Sequence, residues 1–186
     1  MDHFEVTEAL STFQILVDNR EQATPKAVER YKSFGVPYQR VTLNYGDYCG
    51  QITINDSDIY DTAQAVKPTC VIERKMNLDE LAMCLTRERD RFRREFQRAQ
   101  KAGARVYLLV ENGSFEAILA GRYRSKFHPK AFMGSLCAWI VRYGIYLMFC
   151  DELTTPILIR EIMASDRGHR LRIPSGNDDC PTALPE

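Results

Sequence analysis

The stretch Val71-Ile72-Glu73-Arg74-Lys75-Met76-Asn77-Leu78-Asp79 delivers an acid, two bases and a further acid between a short apolar run and a strongly periodic helical segment. Cys70, Val71 and Ile72 are β-formers after Pro68, so Glu73 to Lys75 are expected at the end of a strand. Alternate side chains of a strand share a face, which points Glu73 and Lys75 one way and Arg74 the other. A metal-binding carboxylate and a cation can then converge on one phosphate. Taken alone, an acid-x-lysine pair is more often a surface salt bridge, so its neighbours in the fold decide what it does.

The chain has 186 residues, 45% of them apolar, which suits one soluble domain with a sizeable core. Its 25 basic residues balance 25 acidic ones, so a nucleic-acid partner would have to be met by cations gathered locally. The six cysteines lie far apart, with no C-x-x-C pair and only three histidines in the chain, which speaks against a zinc site or a disulfide framework. The N-terminus lacks the pattern of a secretion signal, and no apolar run approaches a membrane span. A cytoplasmic protein with no membrane association is the expectation.

In chain order, Phe13 to Val17 reads as a buried strand ending in Asp18-Asn19-Arg20-Glu21. Thr24-Pro25 supplies an N-cap and first residue for a helix that Gly35 ends. Val36 to Leu43 is the next expected strand, and Asn44-Tyr45-Gly46-Asp47-Tyr48 reads as a turn into the second arm of a hairpin, with Asp47 at its tip. Asn55 to Lys67 is expected to be a surface loop. From Leu78 the apolar residues Leu81, Leu85, Phe92, Phe96 and Ala99 continue one stripe, as on a single long helix closed by Gly103. Arg87, Arg91, Arg94, Arg98 and Lys101 form a cationic ladder on another side, readable either as a solvated face or as a nucleic-acid contact; Arg91 and Glu95 could also pair within the helix.

Arg105 to Val110 is a further expected strand, ended by Glu111, and Ser114 opens a short helix. The segment Gly121 to Lys130 interleaves Arg122, Arg124, Lys126 and Lys130 with Tyr123 and Phe127, a composition suited to gripping a phosphate backbone. Ala131 to Tyr143 is an apolar helix, Ile145 to Phe149 a strand, and Leu153 to Ala164 a last helix. Strands alternating with helices imply an α/β fold. Phe132, Leu136, Trp139 and Ile140 give the first of these helices more apolar surface than one stripe requires, which suggests a homodimer interface. Residues 1–12 are read as an extension, 13–165 as the domain and 166–186 as a disordered tail.

Gly46-Asp47, Glu73-Arg74-Lys75 and Asp79 resemble the G-D-x(n)-E-R-K-x-x-x-D signature of the XPF family of structure-specific endonucleases. Val17-Asp18-Asn19-Arg20-Glu21 is similar to that family's V-D-x-R-E strand end, and Leu108 to Glu111 to its L-I-V-E strand. The resemblance implies a restriction-endonuclease-like core, a mixed β-sheet flanked by helices on both faces, and Mg²⁺- or Mn²⁺-dependent cleavage of branched DNA. It makes Asp47 and Glu73 metal ligands and sets Lys75 on the water or phosphate. Asp18, Arg20 and Glu21 would line the same cleft, with Arg74 and Asp79 bracing it. The helix-hairpin-helix repeats and helicase portion of typical members have no counterpart here, which leaves three readings: a stand-alone nuclease for flaps, forks or junctions in repair or recombination, one acting on single strands or linear duplex, and a non-catalytic DNA-binding or scaffold subunit.

Overall fold

The computed structural model describes residues 7, 8, 10–52, 66 and 68–172. Six strands form one mixed sheet: β1 (Gln14–Asp18), β2 (Tyr38–Val41), β3 (Tyr48–Gln51), β4 (Cys70–Lys75), β5 (Arg105–Glu111) and β6 (Ile145–Cys150). Their spatial order is β2-β1-β3-β4-β5-β6. β2 runs parallel to β1, and β4, β5 and β6 are parallel to one another, while β3 is antiparallel to both of its neighbours. Five strands therefore end, and β3 alone begins, at one edge of the sheet. That single reversal brings Asp47 to the edge where Asp18, Lys75 and Glu111 finish their strands.

The helices are α1 (Pro25–Lys32), α2 (Leu78–Leu85), α3 (Arg89–Lys101), α4 (Phe115–Leu119), α5 (Pro129–Tyr143) and α6 (Thr155–Arg172). They cover both faces, because successive residues of the central strands enter different cores. Ile72 and Leu109 pack with Tyr31 of α1 and with Ile159 and Met163 of α6. Val71, Leu108 and Val110 pack with Leu81, Phe92, Phe96 and Trp139 of α2, α3 and α5. The expected α/β sandwich is thus present. The termini of its helices follow local chemistry: Thr24 caps α1 by accepting from the Ala27 N–H, Ser114 caps α4, and Gly144 closes α5 at φ 62°.

Four expectations need correction. β2 and β3 are not a hairpin, since β1 lies between them; α1 gives the crossover that parallel pairing requires. The long helix from Leu78 is two, broken over Thr86–Glu88, where the Thr86 hydroxyl donates to the Ala82 carbonyl. The apolar stripe survives because both helices turn it to the same core. The last helix continues to Arg172, so residues 166–172 belong to it; the rest of the expected tail, like the expected loop Asn55 to Lys67 apart from Val66, lies outside the described residues.

The fourth correction concerns the proposed dimer surface. Phe132, Leu136 and Trp139 are buried in the chain's own core, and Ile140 packs against it. Trp139 stacks on Phe92 at 5.2 Å between centroids and meets Phe96 edge-on at 5.8 Å. The sequence shows an apolar surplus on α5, but α2 and α3 absorb it. Among the described residues, no helix is long and apolar enough to cross a membrane.

Candidate active site

The strand alternation that the sequence implies at Glu73-Arg74-Lys75 is what the fold contains. Glu73 and Lys75 face α2 and α3; Arg74 faces the opposite core. Lys75 Nζ lies 2.6 Å from Glu73 Oε1, 3.8 Å from Glu80 Oε1 and 5.3 Å from the centre of the Phe92 ring. Both members of the Glu73–Lys75 pair are buried. Burial pushes the Glu73 carboxyl up, and the nearby charges of Glu95 and Glu80 add to this against the opposing effect of Lys75. Burial would lower the Lys75 ammonium, yet Glu73 and Asp47 hold it well above its ordinary value.

Asp47 reaches this pair from β3. Its backbone N–H donates to the Ile72 carbonyl at 2.8 Å, and its Oδ2 accepts from the Arg74 N–H at 2.8 Å, so the end of β4 fixes it. Among the described residues nothing donates to Oδ1. Burial and the neighbouring Glu73 push the Asp47 carboxyl well above the carboxylate range, with Lys75 pulling the other way. Glu73 thus raises the proton affinity of Asp47, and both carboxylates share one ammonium. That is an excess of negative charge, the donor chemistry a divalent cation relieves. The approach is close because Gly46 precedes Asp47: at φ 73° it adopts a left-handed backbone, and a Cβ there would lie 2.0 Å from Val71 Cγ2.

Arg74 is a brace. Its Nε and Nη2 donate to the two Glu111 carboxylate oxygens at 2.8 and 2.7 Å, and Nη1 lies 3.7 Å from Glu21. Burial alone would raise the Glu111 carboxyl, but hydrogen bonds from Arg74 and Thr155 hold it below the usual range. Glu21 accepts from Tyr48 Oη at 3.1 Å and from Arg30 at 3.3 Å, on the Arg74 side of the sheet. Asp18 offers no free carboxylate to a cleft. It is buried, accepts from Arg20 N, Arg20 Nε and Leu43 N at 2.7 Å each, and so orients Arg20. Arg20 keeps 56% of its side chain exposed and reaches within 3.7 Å of Glu95.

Glu95, read from the sequence only as a possible partner of Arg91, belongs to the site instead. It does not pair with Arg91, which holds Glu88 instead. Glu95 Oε1 accepts from the Gly46 N–H at 3.1 Å and clasps the turn that carries Asp47. Its spacing from Phe92 and Ala99 marks the inward face of α3, which was the available signal. Glu80 escaped notice: its Oε2 accepts from the Met76 N–H at 2.8 Å while Asn77 caps α2 by accepting from the Glu80 N–H.

The remaining basic residues are partly dispersed. The helix break separates Arg87 from the α3 cations and sets it beside Arg124 and Lys126. On α3, Arg91 and Arg94 are exposed, while Arg98 donates to the Asn44 carbonyl at 3.0 Å and thereby supports the Asp47 turn. Asp79 binds the basic segment: its Oδ1 accepts from the Arg124 and Ser125 N–H groups at 2.7 Å each, and its Oδ2 lies 3.1 Å from Arg124 Nε. Arg122 and Lys130 are exposed on the same segment.

An ERCC4 domain model matches residues 17–157, most of the chain and all of this edge of the sheet. The chain belongs to the ERCC4 domain family. Its fold is similar to that of XPF from Aeropyrum pernix, at 23% identity and a TM-score of 0.57 over 86% of this chain and 68% of that one. XPF from Aeropyrum pernix in complex with DNA matches equally, with 87% and 67% covered. No match is found among curated proteins.

Proposed function

We propose that this chain is a divalent-metal-dependent endonuclease that hydrolyses phosphodiester bonds in branched or structured DNA, in repair or recombination. The observation that carries the reading is the meeting of Asp47, Glu73 and Lys75 at one edge of the sheet, two buried acids acting on a single ammonium. Membership of the ERCC4 domain family and the likeness to a protein seen bound to DNA support it.

Asp47, through Oδ1, and Glu73, through the oxygen that Lys75 does not engage, would hold Mg²⁺ or Mn²⁺; Mg²⁺ takes one or two protein carboxylates and fills its remaining positions with water and substrate oxygens. When bound, the ion supplies positive charge to a phosphoryl oxygen and lowers the pKa of a bound water. Lys75, held charged by its acidic neighbours and seated on Phe92, is placed to donate to a non-bridging phosphate oxygen or to orient the attacking water. Arg20, anchored by Asp18 and exposed beside Glu95, offers a second cation at the same opening. Arg74 does no chemistry in this reading and fixes Asp47 through its backbone.

Cleavage of flap, fork and linear duplex substrates with Mg²⁺ and with Mn²⁺ tests the proposal, using the natural chain, Asp47→Ala and Glu73→Ala. Loss of all cleavage in both variants is expected, and undiminished cleavage by both would remove the assignment. A homodimer belongs to the same proposal, with Val141, Tyr146, Leu153 and Ile157 among the exposed apolar residues open to a second copy. A solution mass that stays monomeric at all concentrations would dismiss it.

A further inference from the structure

Beside the candidate active site, an open groove of about 800 Å³ runs between the side of α2 and the basic segment, walled by Met83, Arg87, Arg124, Lys126 and Phe127. The two sites share the first turn of α2. Glu80 lies on the Lys75 side of that turn, while Asp79 lies on the groove side and holds Arg124. From Asp79 to Leu85 the α2 axis advances about 9 Å at 1.5 Å per residue, and Arg87 lies just past its end, a length comparable with a very short stretch of nucleic-acid strand. Three cations face the groove against one carboxylate, and that carboxylate is already engaged by Arg124. The groove therefore carries net positive charge.

The walls also include apolar surface. Met83 is 39% exposed, and Phe127, stacked on Phe132 at 5.3 Å, is held half-buried at the rim with its carbonyl accepting from Tyr123 Oη. A duplex presents phosphates to such a groove and keeps its bases stacked inside. An unpaired strand presents both phosphates and base faces, and so matches cations interleaved with a thioether and an aromatic edge. Because α2 begins at the end of β4, a strand lying here would run toward the sheet edge that carries Asp47 and Lys75.

We infer that this groove seats a single-stranded arm of the nucleic-acid substrate, next to the position of cleavage. The inference rests on the nuclease reading for the meaning of that adjacency. Its test does not, since binding is measured without metal.

Labelled oligothymidylate, a blunt hairpin duplex, and the same duplex bearing a single-stranded arm are titrated in chelator against three chains: the natural one, the double variant Arg87→Glu with Lys126→Glu, and Met83→Ala. All three substitutions are at solvent-exposed positions, and thermal melts verify folding. The charge-reversed chain should bind oligothymidylate at least tenfold more weakly. Its dependence of log K on log salt should be shallower by about 1.4, from two cations at about 0.7 each for single strands. Met83→Ala should weaken the oligothymidylate and armed duplex several-fold and leave the blunt duplex unchanged. Equal losses on blunt duplex and oligothymidylate would make the groove a duplex-backbone contact, and unchanged binding in both variants would remove it as a nucleic-acid site; either overturns the inference. If the natural chain cleaves nothing while these differences persist, the nuclease reading fails and the groove stands.

Discussion

Replacing Glu111 with Gln separates bracing from chemistry. Glu111 is buried with 1% of its side chain exposed, and it takes two parallel hydrogen bonds from Arg74, itself 15% exposed. Gln offers one carbonyl oxygen to a fork built for two and leaves the guanidinium charge in a shielded place. Removing one partner of a buried pair costs about 3–5 kcal/mol, and the lower end applies here, because Arg74 keeps Glu21 at 3.7 Å. For a domain of this size, about 3 kcal/mol is a fall in Tm of roughly 6–12 °C. Urea unfolding should show a lower midpoint with an unchanged slope. Arg74→Lys, which keeps a charge but loses the fork, should lose about half as much. The acid limb of stability supplies the sign. Glu111 is held below its unfolded value of about 4.3, so its contribution is full above that pH and disappears as pH falls through the lower folded value; the Gln variant should lack this part of the acid transition. Stability within 1 kcal/mol of the natural chain, or cleavage abolished with stability intact, would refute the brace and move Glu111 into the chemistry.

Gly46→Ala should cost about 2 kcal/mol or more, since a left-handed backbone already costs about 1–2 kcal/mol for other residues and the new Cβ would meet Val71; a native-like melt would contradict the close approach. Trp139→Ala should lose about 3–5 kcal/mol as a core truncation without a concentration-dependent change in Tm, which a shared interface would show. Asp79→Ala should change global stability by only about 1 kcal/mol or less, since its ion-pair partner Arg124 is 88% exposed, yet tryptic cleavage after Arg122 and Arg124 should quicken because their segment loses its tether. Mg²⁺ at a hundred times its Kd should add about 2.7 kcal/mol to the natural chain and nothing to Asp47→Asn; stabilisation of both alike would place the ion elsewhere.

Much of the candidate site was legible because strand periodicity acts over two residues. Glu73 and Lys75 on one face and Arg74 on the other needed no tertiary knowledge. Thr24-Pro25 and Ser114 were readable because caps act within a few residues of chain. What escaped depends on partners distant in the chain. Nothing near Tyr48 signals that β1 will slip between β2 and β3, and nothing near Trp139 says that Phe92 and Phe96 will cover it. The break at Thr86 was hidden because the apolar stripe resumes in phase after it. The tie of Glu95 to the Asp47 turn was hidden among arginines, and Asp18, expected to line the cleft, has its oxygens occupied by Arg20 and Leu43.

The place of β3 also bears on how the proposed site comes together. One flank of the sheet, β1 with β2, and the other, β4 to β6, can each assemble from segments near in sequence; β3 stitches the two together, and β4 meets it at Tyr48 opposite Ile72. Glu73 and Lys75 belong to one flank, Asp18 and Arg20 to the other, and Asp47 to the stitch itself. Under the proposed function, neither flank alone would own a complete metal site, and Asp47 would join Glu73 and Lys75 only where β3 pairs with β4.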